Sequence, residues 1–216
     1  MKKLKFLTVV LSLFLSVFPF GCNSKQTLAP FVTELQSTVM QAESGEIKLK
    51  AVYGFKTENG KHAFYLTVKL IGKETDNATY TLNFSYGGKN YSDAFKLNPV
   101  TNTLTVKTRL DDFDCKPLPV TVSWASTSEA LTLTPLAPDG TVEYITAVDS
   151  LLVSQSALID LYRDEFGNFN GSIKARILVK DGAPYWYIGL INANGNEKAL
   201  LVDGISLEVL AIRDIF

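Results

Sequence analysis

APYWYIGLINANGNEKALLVDG, residues 183–204, places an aromatic or aliphatic residue at most positions and carries a turn signal inside it. A second turn signal, Asp181-Gly182, stands immediately before it. Asp-Gly and Asn-Gly are the pairs that most favour two-residue hairpin turns, because both central positions need positive φ. If Asp181-Gly182 closes a hairpin, Ile177 opposes Trp186, Ala175 opposes Ile188 and Ile173 opposes Leu190, while Leu178 opposes Tyr185 and Arg176 opposes Tyr187. If Asn194-Gly195 closes the next one, Leu190 opposes Ala199 and Ile188 opposes Leu201. One face of this meander is then continuously apolar and suited to hold a helix. The other carries Leu178, Tyr185, Tyr187, Ile191, Leu200 and Val202, interrupted by Lys174, Arg176, Gly189 and Lys198. That second face is too apolar to be left in water, so it either packs against the rest of the chain or receives a partner.

Upstream of the meander, Val142, Ile145, Val148, Leu152, Leu158, Ile159 and Tyr162 recur at helical spacing up to Gly167, with Ser154-Gln155-Ser156 as a kink or break. Pro138-Asp139-Gly140 marks the start of this unit, residues 138–216. The helix, then Tyr185-Trp186-Tyr187-Ile188-Gly189-Leu190, Asn194-Gly195, Leu201-Val202-Asp203-Gly204 and Glu208-Val209-Leu210 together resemble the PepSY-type family of small extracytoplasmic modules. Leu207 stands where that family carries a second glycine. The resemblance covers residues 141–216 and implies an α+β module, a helix on an antiparallel meander, of the kind proposed to hold or inhibit peptidases, with no catalytic residues of its own.

Residues 46–137 read as strand after strand, separated at Asn59-Gly60, Gly87-Gly88, Asn98-Pro99 and Lys116-Pro117. Phe64, Leu66, Val68 and Leu70 alternate with polar neighbours, as do Tyr80, Leu82, Phe84 and Tyr86. About seven strands over roughly 90 residues predict an all-β, immunoglobulin-like sandwich.

The first 21 residues join three lysines to an uncharged run from Phe6 to Phe20, the layout of an export signal. The junction Gly21-Cys22 resembles a bacterial lipoprotein signal, with Pro19 in place of the usual aliphatic residue. It predicts cleavage before Cys22, lipid attachment to that cysteine and membrane anchoring on the outside of the cell membrane. Residues 22–45 follow as a tether and first element; Leu28, Phe31, Val32, Leu35 and Val39 keep helical spacing, but the β-branched content suits a strand equally.

A net charge of −1 gives no field that would favour nucleic acid. His62 has no Cys or carboxylate at metal-ligand spacing, the Asp111, Asp112 and Asp114 loop lacks the glycine and distal glutamate of a calcium loop, and Ser150, Ser154 and Ser156 have no histidine nearby. Trp124 falls in phase with Val120 and Val122 as core, and Cys115 has no disulfide partner in the mature chain. No metal, cofactor or catalytic set is expected. The expectation is a membrane-anchored envelope lipoprotein that binds another envelope protein without turnover, with binding of a cell-wall glycan by exposed aromatic residues as the alternative.

Overall fold

The computed structural model describes residues 27–74 and 78–215; the leader and Cys22 lie outside them. The chain is mostly β and largely antiparallel, with thirteen strands rather than seven. Strand β1 (Val32–Ser44) organises the rest. Along one edge it pairs antiparallel with β2 (Ile47–Glu58). Its other edge is divided. Residues 32–36 pair in parallel with β10 (Gly171–Lys180), while Met40 and Gln41 pair with β9 (Thr127–Pro135). Register shifts at Val32/Glu34 and Gln36/Thr38 bend the strand, and the second lies between the two segments, so that one strand can serve two diverging neighbours.

Toward the C-terminal half of β1, the sheet runs through β2, β3 (Lys61–Ile71), β7 (Thr103–Arg109) and β6 (Lys96–Asn98) as one wall. The opposite wall is β9, β8 (Leu118–Trp124), β4 (Tyr80–Tyr86) and β5 (Lys89–Ala94). The chain steps from one wall to the other at buried Phe95, between β5 and β6, which gives the arrangement its barrel-like closure. Leu49, Leu66, Leu70, Leu82, Val122 and Leu133 are fully buried between the walls, as the alternation over 64–70 and 80–86 requires.

Beyond β10 the same sheet continues as a meander of β11 (Ala183–Asn192), β12 (Glu197–Asp203) and β13 (Val209–Ile215). Three short helical segments, α1 (Tyr144–Asp149), α2 (Leu151–Ser154) and α3 (Ser156–Asp160), cover one face of it. The break falls at Gln155, whose φ of −133° and ψ of 36° leave the helical region. Trp186 is buried beneath the helices and donates its Nε1–H to the Val142 carbonyl at 3.0 Å. The two cores are separate clusters on the same side of one sheet, joined edge to edge at β1 and β10.

The first hairpin has the register its Asp-Gly turn demands, with Ile177 opposite Trp186 and Leu178 opposite Tyr185. Asp181 and Gly182 both have positive φ, 51° and 79°. The second hairpin corrects the expectation. Trp186 opposes Val202 and Ile188 opposes Leu200, so Leu200 and Val202 point into the helix-covered core, where both are fully buried, and Leu201 lies on the opposite face beside Tyr187. The cause is the loop. The Gly195 N–H bonds the Asn192 carbonyl at 2.9 Å, Gly195 alone takes the left-handed conformation, and the Asn192 Oδ1 accepts from the N–H groups of Asn194 and Asn196. This is a three-residue turn with a glycine bulge instead of a two-residue one. One residue of slip exchanges the faces of the whole strand.

Candidate functional site

Among the described residues, no other element covers the face of the long sheet turned away from both cores, and one row of paired residues crosses it. Leu201, Tyr187, Arg176, Gln36, Gly54, Tyr65 and Arg109 follow one another from β12 to β7. Of the expected partner-face residues, Leu178 is 44% exposed and Tyr185 and Tyr187 are half-buried on this face; Leu200 and Val202 are absent from it. The face is also far more polar than the sequence pattern suggested. Arg176 donates twice to the Glu34 Oε1, from Nη2 at 2.6 Å and Nε at 3.1 Å, Lys174 donates to the Glu197 Oε2 at 2.9 Å, and the Tyr187 hydroxyl donates to the Glu197 Oε1 at 2.5 Å. These bonds let Tyr187 and four charges sit half-covered on an open sheet without a covering layer.

The row is lowest at Gly54, where β1 crosses close to β2. β1 approaches it so closely at the Gln36/Thr38 bulge that a Cβ there would overlap the Leu35 carbonyl and lie 2.8 Å from the Gln36 Cα. Beside this close crossing lies a groove of about 190 Å³ bordered by Glu34, Gln36, Lys56, Tyr65, Thr67 and Lys107. Lys107 Nζ lies 3.6 Å from the centre of the Tyr65 ring, and the Tyr65 hydroxyl donates to Glu58 at 3.0 Å. Neither Lys56 nor Lys107 is paired with a carboxylate among the described residues. The groove therefore offers two cations beside an aromatic ring, with its one bordering carboxylate, Glu34, taken up by Arg176. Sequence reasoning missed it, because its floor is a glycine and its walls are ordinary strand residues brought together by a bulge.

Charge and burial tune the network. Burial first, then the bond to Glu197, pushes the Tyr187 hydroxyl up to about 12. Burial works against the Glu197 carboxylate, but the bonds from Tyr187 and Lys174 and the nearby Arg176 outweigh it and hold it below its ordinary value. A raised tyrosine contributes stability that is complete below its unfolded value near 10 and is lost as pH rises toward 12. The Tyr187→Phe variant is therefore expected to lose less of its melting temperature between pH 10 and pH 12 than the parent does. Tyr53, also pushed to about 12 by burial, titrates in both proteins and cancels from that comparison.

The other candidate residues stay apart. His62 is exposed, stacked on Phe55 at 3.9 Å and bonded through Nδ1 to the Thr57 hydroxyl. Asp111 pairs with Arg109 and Asp114 with Lys116, and no group of three potential metal ligands occurs among the described residues. The Ser150 and Ser154 hydroxyls donate to the Ala147 and Ser150 carbonyls within the helices. Trp124 packs against the first core beside Tyr80. Cys115, at φ 58°, accepts a hydrogen bond from the Thr38 hydroxyl at 2.9 Å. No family model matches this chain, and neither a curated protein nor a solved structure matches it either.

Proposed function

We propose that this chain is a non-enzymatic protein-binding module of the bacterial cell envelope, anchored through a lipid on Cys22, and that its partner docks on the outer face of the long sheet with an acidic side chain in the groove at Gly54. The observation that carries the reading is that groove: Lys56 and Lys107, unpaired with carboxylates among the described residues, flank a ring-lined notch in a face tied together by hydrogen bonds. Rigid, half-buried tyrosines beside charged groups lose little entropy on binding, which favours a protein surface as the ligand. The leader ending in Gly21-Cys22 supports the envelope location.

Two finer readings belong here. The helix-then-meander order of residues 144–215 supports the PepSY-like assignment of the C-terminal unit, and so does Leu207. It stands at the family's glycine position with a φ of 65°, in the region that favours glycine. On this reading the partner is an envelope peptidase or another envelope protein. The two-walled unit of β1–β9 supports an immunoglobulin-like description only in its antiparallel pairing and buried alternation, and it serves as the rigid half of the docking face.

The test is affinity capture by the full chain in detergent from envelope extracts, run beside a Lys56→Glu/Lys107→Glu double variant of unchanged melting temperature. One dominant protein is expected on the parent and at least about tenfold less on the variant. Equal recovery on both refutes the groove. Recovery of polysaccharide with no protein favours the glycan alternative.

A further inference from the structure

A second surface, independent of the first, carries a different chemistry. The outer face of the wall formed by β4, β5, β8 and β9 has no charged side chain. Every outward residue on these strands is Ser, Thr, Asn, Ala or Pro, as the pairing rows Thr81–Ala94, Asn83–Ser92, Asn83–Thr121 and Thr121–Ala130 show. The composition of the whole chain does not explain this, because the outer face of the long sheet presents Lys50, Lys56, Lys69, Lys107, Lys174 and Arg176. A groove of about 860 Å³ lies across this face, within the range of ligand sites, roughly 300–1,000 Å³, with Tyr91 in its lining and one carboxylate at its β1 rim, Glu43, which is paired with Lys48 at 2.8 Å.

The side chains lining it are held in place. Ser92 donates to the Asn83 Oδ1 at 2.7 Å, Asn83 Nδ2 donates to the Ser123 hydroxyl at 3.3 Å, and Ser85 donates to the Asn90 Oδ1 at 2.6 Å. These bonds leave the second N–H of Asn83 and both N–H groups of Asn90 to spare. The hydroxyls of Thr121 and Thr132 make no side-chain bond among the described residues. The groove therefore presents fixed groups that both donate and accept, with no charge among the four strands' outward residues.

From this we infer that the outer face of β4, β5, β8 and β9 binds an uncharged polysaccharide, its hydroxyls bonding to Asn83, Asn90, Ser92, Thr121 and Thr132. The chemistry selects this occupant. An anionic polymer or a charged peptide would lose hydration on this face and find only the rim carboxylate of Glu43, already neutralised by Lys48, whereas sugar hydroxyls exchange water bonds for bonds to amides and hydroxyls one for one. Prior ordering of the side chains reduces the entropy lost on binding. Trp124, expected in the core, packs there beside Tyr80, and the one half-buried tyrosine in the groove's lining, Tyr91, is stacked on Phe84.

The experiment is calorimetric titration of the full chain in detergent with hexaoses of β-1,4-glucose, β-1,3-glucose, β-1,4-xylose and N-acetylglucosamine, and with oligogalacturonate as the charged control. At least one neutral hexaose is expected to bind with a Kd below about 1 mM, and oligogalacturonate is not. Asn83→Ala is expected to weaken binding by about tenfold, and Ser92→Lys, at an exposed position, to abolish it. Both variants are checked for unchanged melting temperature, with Asn90→Ala as the replacement for one that unfolds. Binding of none of the four, binding unaffected by the substitutions, or concentration-dependent dimerisation that Ser92→Lys removes would each overturn the proposal. The groove at Gly54 is untouched by these variants, so this result and the capture result can fail separately.

Discussion

Gly54→Ala is expected to destabilise the protein by about 3 kcal/mol, at the upper end of what overpacking costs, and to lower its melting temperature by roughly 6–12 °C. The added methyl would meet the β1 backbone at Leu35 and Gln36, which cannot rotate away as a side chain could. Relief requires β1 and β2 to part at the bulge. Because β1 belongs to both halves of the sheet, its displacement disturbs the walls of the first core and the β1–β10 ladder together. Thermal unfolding followed by circular dichroism measures the loss. A single cooperative transition at lower temperature is expected; two transitions, one of them unshifted, would mean that the halves are held independently.

The second large effect is expected at Trp186. Its side chain is 2% exposed, and its N–H satisfies the Val142 carbonyl just before α1, so it both fills the C-terminal core and fixes the start of the helical layer. Trp186→Ala should cost about 3–5 kcal/mol, from the cavity alone. Trp186→Phe keeps most of the apolar contact but leaves the carbonyl without this partner, at about 1–3 kcal/mol. Urea titration gives both values from the shift in midpoint at constant slope. A Trp186→Ala midpoint equal to that of Trp186→Phe would show that the hydrogen bond, and not the packing, is what the indole contributes.

Much of the core was legible from alternation. Leu66, Val68 and Leu70 are buried where period two puts them, and the Asp181-Gly182 turn set the register of β10 and β11 correctly. What stayed hidden has particular causes. β1 read equally well as a helix because its bulges break the alternation: Val32, Leu35, Thr38, Met40 and Ala42 are buried at spacings of three, three, two and two, which imitate a helical face at the start. Its parallel pairing with β10 joins segments 140 residues apart, which no local pattern encodes. The faces of β12 were exchanged because the turn is a three-residue one that closes on Asn192, with Gly195 as its bulge, and not a two-residue turn on Asn194-Gly195. That one residue moved Leu200 and Val202 into the core and left a polar, tyrosine-bearing outer face in place of an apolar one.

The polar character of that face changes what it implies. An apolar sheet face would have needed a cover to be stable, whereas one held by Arg176–Glu34 and Lys174–Glu197 is stable uncovered and remains available. Partially buried pairs of this kind fix geometry more than they add stability. The groove beside them is then a preformed notch on a rigid support.

The most direct test of the account is site-specific photo-cross-linking in the intact envelope, with a benzophenone side chain replacing Tyr65 at the rim of the groove and, as control, Val153, 87% exposed on the helical layer. The account predicts one discrete protein adduct from position 65, suppressed by Lys56→Glu, and none from position 153. An adduct from position 153 with none from position 65 would contradict it.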